Sequence, residues 1–313
     1  MMNKSQRLCI VGVTALFVML AASVRLAAQD KAALIEKKRA AVKYVPVKLD
    51  AAAATKLQAD WAAKLGSKNE TKTALGIAMV LIPPAGEALP KPYWIGKYEV
   101  TQGEWKAVTG SNPASFRDGK NAAAKGLDTS RHPVETVTWF ECLDFCNRLS
   151  EKEGLKPYYG INVIERNREN KQISKAEIEI LGGDGYHLPT PTEWAHANRA
   201  GSVVQYFFGD RLADMDAYGW HDSNSDNRTH AAGEKKPNAF GLHDTYGNVR
   251  EWVQDFDVDA KTKKIGRAKC YGGGFNYKPL SGDGERAHGP NDAISFIGLR
   301  VARDASPSNR SER

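Results

Sequence analysis

Pro237-Asn238-Ala239-Phe240-Gly241-Leu242-His243-Asp244-Thr245-Tyr246-Gly247-Asn248-Val249-Arg250-Glu251-Trp252 is the stretch from which the rest of the chain is read. Gly241 and Gly247 permit left-handed backbone that side chains normally forbid. Asp244 and Glu251 are carboxylates set among apolar neighbours, and Trp252 ends the run with a large hydrophobic surface. Carboxylates withdrawn from water need partners. Two kinds are open on chemistry alone. One is a hard cation such as calcium, which takes carboxylate and backbone carbonyl oxygens. Asp244 and Glu251, with the carbonyls of Gly247 and Val249, make such a set. The other is a tight turn whose N–H groups satisfy both carboxylates.

Working outward, Thr-x-x-Glu occurs three times at the start of an apolar periodic run. Thr101 with Glu104, Thr138 with Glu141 and Thr190 with Glu193 are capping boxes, in which hydroxyl and carboxylate satisfy the free N–H groups of a helix start. Pro191 takes the first helical position of the third, where its missing N–H costs nothing. In the second helix Cys142, Phe145, Cys146 and Leu149 share one face. Ala78-Met79-Val80-Leu81-Ile82 and Tyr93-Trp94-Ile95-Gly96 read as short strands. Residues 156–185 alternate like a hairpin with a charged tip at 165–175. Short capped helices among short strands predict an α+β domain.

The chain of 313 residues is 42% hydrophobic and 26% charged, with 28 Gly, 14 Pro and seven Trp. It can bury a good core, and the turn formers favour a loop-rich fold. Residues 1–28 read as an export signal: Lys4 and Arg7, an apolar run from Cys9 to Val24, then Leu26-Ala27-Ala28 before Gln29. That run is shorter than the ~20 residues of a membrane-spanning helix, so no stable membrane insertion is expected after cleavage. A retained N-terminal anchor is the alternative. The mature protein is expected outside the cytoplasm, periplasmic or secreted. Loss of Lys4, Arg7 and Arg25 with the signal takes the formal charge from +7 to +4, too mild for nucleic acid. Residues 29–73 read as a helical segment and polar linker, with Asp50 capping a helix that carries Leu57, Trp61 and Leu65 and stops at Gly66. Residues 74–304 form the main domain and 305–313 a disordered tail.

Three cysteines remain past the signal. Cys142 and Cys146 sit four apart on one helix face, too far for an easy bridge, so Cys270 paired to one of them is the expected disulfide. Asp222-Ser223-Asn224-Ser225-Asp226 alternates oxygens as calcium loops do, but lacks the glycine and acid that complete one. No triad or phosphate-cradling motif is present.

From Met79 to Asp304 the chain resembles the formylglycine-generating enzyme, or sulfatase-modifying factor, family. The elements come in family order: Gly96-Lys97-Tyr98-Glu99-Val100-Thr101, Pro133-Val134-Glu135-Thr136-Val137-Thr138-Trp139, Phe145-Cys146, Tyr186-His187-Leu188-Pro189-Thr190, Thr192-Glu193-Trp194, the opening stretch, Gly272-Gly273-Gly274 and Gly298-Leu299-Arg300. The resemblance implies an irregular α+β fold similar to C-type lectins, with small twisted sheets. It also implies a structural calcium at Asp244, Gly247, Val249 and Glu251.

The family's chemistry oxidises a substrate cysteine through a pair of cysteines that hold copper(I), for which soft thiolates are suited. The resemblance places those positions at Tyr277 and Gly282. Gly274 stands for the family's active-site serine and Arg250 for a tryptophan, and Asn248 alone is kept. Cys146 matches a family disulfide cysteine whose partner position is Val301. Copper is therefore not expected. Two readings follow. One is a calcium-stabilised binding module that holds a peptide or glycan on an open face near residues 272–277 and Arg250. The other is an oxidase, either generating formylglycine or using iron held by His221, His230, His243 or His288 with Asp222 or Asp244. His187, where the family has arginine, reads as a packing residue.

Overall fold

A computed structural model describes residues 48–258, 265–279 and 284–305. The export signal, most of the segment read as a frayed helix, Gly282 and nearly all of the expected tail lie outside the described residues. The three capping boxes form as the sequence predicts. They open α2 (Gln102–Thr109), α3 (Trp139–Lys152) and α4 (Pro191–Arg199), each with hydroxyl and carboxylate bonded reciprocally across the first turn. Gly110 ends α2 at φ 83°, a conformation glycine adopts without strain.

Ahead of them, α1 (Ala51–Lys64) is capped by Asp50, whose carboxylate accepts from Ala53 N–H. Its docking face is wider than the expected stripe: Trp61 and Leu65 pack against Leu81 and Ala305, and small residues join them. Ala54, Gln58 and Ala62 are buried, while Leu57, Trp61 and Leu65 are only partly covered. Small residues let the helix approach, and the Gln58 amide donates to the carbonyls of Leu81 and Phe240 at 2.8 and 2.9 Å. Residues 70–72, within the expected linker, form β1 (Glu70–Lys72), which pairs antiparallel with β2 (Ala78–Ile82). From Pro46 onward the chain is one compact unit, so helix and linker belong to the body they were read as preceding.

β2 pairs with β3 (Tyr93–Gly96), and the last strand, β10 (Ala302–Asp304), pairs with β3 to complete the sheet β1-β2-β3-β10. The two ends of the unit thereby meet. Ala305, read as the start of the tail, is buried and donates its N–H to the Pro92 carbonyl. The second sheet runs β8 (Arg286–His288), β7 (Ile265–Tyr271), β6 (Arg250–Val258), β9 (Ile297–Leu299), with β6 and β9 parallel. The hairpin β4 (Tyr159–Arg166) and β5 (Ile173–Ile180) stands apart, its tip exposed as the sequence implies.

The core lies between α3 and the second sheet. Trp139 donates its indole N–H to the Val253 carbonyl, and Trp252 donates to the Val137 carbonyl. The two bonds tie the start of α3 to β6 in both directions. Cys142, Cys146 and Cys270 are all free and fully buried in this core, so the expected disulfide does not form. Val301, the family partner position of Cys146, lies in the same cluster. Apolar packing rather than a cross-link holds α3 to the sheet.

Candidate functional site

The Pro237–Trp252 stretch folds as a sequence of turns locked by its own amides. Asn238 accepts from the N–H groups of Phe240 and Leu242 and donates to the carbonyls of Ala197 and Asn198. Asp244 and Asn248 adopt φ of 63° and 58°, conformations that short polar side chains tolerate. Gly247 packs so closely that a Cβ there would meet the Trp220 carbonyl oxygen at 2.2 Å. No other residue fits.

Three carboxylates meet in one buried region: Asp244 and Glu251 from this stretch, and Glu99 from the segment after β3. Both oxygens of Glu251 accept from the Arg300 guanidinium, at 2.7 Å for Nη2 and 3.0 Å for Nε, and Oε2 also accepts from the Trp194 indole at 2.7 Å. Glu99 accepts from Val249 N–H and from the Asn248 amide. Asp244 accepts from Gly233 N–H through Oδ2, while Oδ1 has no partner. Arg300 further donates to the carbonyls of Gly96 and His243. Burial, then repulsion from Asp244 and Glu251, pushes Glu99 well above the usual carboxylate range. Burial also raises Asp244 to about 6.

This arrangement does not fit a calcium shared by Asp244, Gly247, Val249 and Glu251. Glu251, one of the two carboxylates of that set, is committed to a guanidinium and an indole. The positive charge facing Glu251 is Arg300. Neither Arg300 nor Glu99 was assigned a role from sequence, although both lie in the quoted motifs. The signal was present but has no local pattern, since 49 residues separate Arg300 from Glu251.

The neighbourhood equivalent to the copper site is filled. Arg250 is buried, its guanidinium lies over the Tyr277 ring at 5.0 Å, and Nη1 donates to the Gly284 carbonyl at 2.6 Å. Nη2 has no partner. Burial pushes the Cys270 thiol up to about 11, against the opposing pull of the Arg250 charge. Burial raises Cys142 and Cys146 as well. The donor set does not fit copper(I): tyrosine occupies one thiolate position, and the nearby thiol is held protonated. A Cβ on Gly274 would sit 3.3 Å from the Tyr277 ring, so the family's serine would crowd the tyrosine here. Of the open face expected at 272–277, residues 272–275 are buried, Asn276 is exposed and Tyr277 is half-buried. Gly273 approaches the Tyr246 carbonyl too closely for any side chain, and Gly272 similarly abuts the Thr245 carbonyl.

The histidines are dispersed. His221 bonds Asp216 at 2.8 Å, His230 stacks on Trp220 with ring centroids 3.7 Å apart, and His243 bonds the Lys235 carbonyl. His288 meets the Trp252 ring edge-on at 6.2 Å. No iron-binding set is assembled by them with Asp222 or Asp244 among the described residues. Asn224 is spent on His221 N–H, Asp216 and the Gly219 carbonyl, which makes residues 222–226 a hydrogen-bonded turn. His187 packs as expected, stacked on Tyr158 at 4.5 Å and 3.4 Å from Glu193.

Two small four-stranded sheets, few helices and a centre of buried turns define an irregular α+β domain of the C-type-lectin-like class. Residues 56–305 match the family described as the sulfatase-modifying factor enzyme 1-like domain, and the chain belongs to it. A relative from Paenibacillus barcinonensis named chaperone protein LppX is 34% identical over 204 residues, 58% of this chain and 69% of that one. Among solved structures, Treponema denticola variable protein 1 superposes with a TM-score of 0.61 at 28% identity, covering 75% of this chain and 98% of its own. CarF does so at 0.56 and 27% identity, covering 68% and 86%.

Proposed function

We propose that this chain is a non-catalytic member of the family, a binding module that holds a peptide or glycan outside the cytoplasm. One observation carries the reading: Tyr277 stands at one of the two positions where the family has a copper thiolate, and the buried Arg250 guanidinium lies over its ring at 5.0 Å. A guanidinium repels a metal cation, and a phenol oxygen is not the soft donor that copper(I) takes. The name of the Paenibacillus relative, a chaperone protein, points in the same direction.

The test is turnover. The purified full-length chain, supplied with copper(I) and oxygen, is incubated with a peptide carrying a sulfatase-type cysteine, and the peptide mass is followed. No change is expected. Conversion of the thiol to an aldehyde would overturn the reading, and metal analysis of the same sample would show which ion is responsible.

A further inference from the structure

The hairpin β4–β5, α2 and the first turns of α3 enclose a cavity of about 380 Å³, within the range of small-molecule sites. It shares no lining residue with the buried carboxylates or with the Arg250–Tyr277 neighbourhood. Its charge is one-sided. Arg117, Lys120, Arg148, Arg166 and Lys171 line it against Glu141 and Asp144, an excess of three positive charges. Arg148 is paired with Asp144 at 2.7 Å. The other four cations are held by backbone carbonyls: Arg117 by Ala114, Lys120 by Pro113, Arg166 by Lys171 and Lys171 by Arg168. Carbonyls fix the position of a cation without cancelling its charge. Such a wall is ready for an anion.

The wall is also anchored. Gln172, buried at the hairpin tip, donates to the Thr136 carbonyl at 2.8 Å and to Glu141 at 2.9 Å. Thr136 itself sits at φ 61°, a costly conformation for a β-branched residue, and strain of this kind gathers at binding sites. Ser111 and Asn170 add hydroxyl and amide groups, and the Trp105 edge and Pro113 add apolar surface. Cations, polar groups and a little apolar surface around one compact space suit a sugar ring bearing an acid group. An extended peptide instead takes a sheet edge or a long groove.

We propose that this cavity binds a saccharide carrying carboxylate or sulfate. The proposal rests on the binding-module reading and gives it a location and a ligand class. The acid group meets Arg166, Lys171 and Lys120, and the hydroxyls meet Ser111 and Asn170.

Calorimetric titration of the full-length chain tests this with four probes: digalacturonate, a sulfated chondroitin disaccharide, maltose and sodium sulfate. At least one of the two charged disaccharides binds, and its affinity falls as salt rises and screens the exposed cations. The exposed-tip double variant Arg166→Gln/Lys171→Gln weakens that binding by roughly tenfold, while Arg211→Gln, exposed and away from the cavity, leaves it unchanged. Maltose binding as tightly would overturn the role of charge, and sulfate alone binding as tightly would overturn the saccharide. Absence of binding by both charged disaccharides, or tight binding of an acidic peptide in their place, would overturn the proposal outright. If the double variant binds like the parent, the location falls and the binding module stands. Aldehyde formation in the peptide assay removes the binding module whatever the titration shows.

Discussion

Two buried arginines sit within the same domain and do opposite things. Arg300 is fully buried and spends its guanidinium on Glu251, the Gly96 carbonyl and the His243 carbonyl. Arg250 is equally buried, yet it stacks on an aromatic ring, bonds one carbonyl and leaves Nη2 without a partner. The difference teaches where buried charge holds the fold together and where it is only partly satisfied. A satisfied buried ion pair is expensive to break, because either partner alone is a stranded charge. A partly satisfied one is tolerated and can be exchanged.

The comparison breaks most sharply at Glu251. Glu251→Ala or Arg300→Ala is expected to cost about 3–5 kcal/mol in urea unfolding, equally in calcium and in chelator. A loss confined to calcium-containing buffer would reinstate a calcium cage in place of the Arg300 clasp. Trp194→Phe removes the indole donor to Glu251 and part of a buried ring packed on Val253 and Tyr271, and is expected to cost about 2–4 kcal/mol by the same measurement. Acid–base titration gives a third handle. Glu99 and Asp244 bind their protons more tightly folded than unfolded, so the folded state holds more protons between the ordinary carboxylate range and about pH 6 for Asp244. Their contribution is full below pH ~4 and fades as pH rises, at about 1.4 kcal/mol per pH unit for each proton. Asp244→Asn should flatten that slope in a pH series of unfolding curves, and an unchanged slope would show that Asp244 titrates normally. The smallest effect belongs to Arg250. Arg250→Met is expected to stay within about 1 kcal/mol of the parent, since the lost contacts are offset by removal of a buried, incompletely bonded charge. A loss near that of Arg300→Ala would erase the contrast between the two arginines.

Much of this was legible in the residues. The capping boxes at Thr101, Thr138 and Thr190, the stop at Gly66 and the hairpin at 156–185 depend on contacts within a few positions, and sequence patterns record such contacts directly. The family motifs located the domain and the positions, Tyr277, Gly274 and Arg250, at which this chain departs from the family pattern. Less legible was what each polar group would meet. Asp244 and Glu251 were recognisable as buried carboxylates in need of partners, but calcium and hydrogen bonds satisfy the same residue types. Likewise Leu57, Trp61 and Leu65 gave α1 an obvious apolar stripe, while the docked face also takes in Ala54, Gln58 and Ala62, chosen by close approach and two carbonyl acceptors.

The sequence by itself determined the elements that close over short distances, the family, and the loss of its thiolate pair. Tertiary structure alone decided that Arg300 meets Glu251, that the three described cysteines stay free inside the core, and that residues 272–275 are covered. The same holds for the gathering of Arg117, Lys120, Arg148, Arg166 and Lys171 around one cavity. The physical reason is range. A capping box is written within four consecutive residues, whereas a buried charge chooses its partner from whatever the packed chain brings within hydrogen-bond reach.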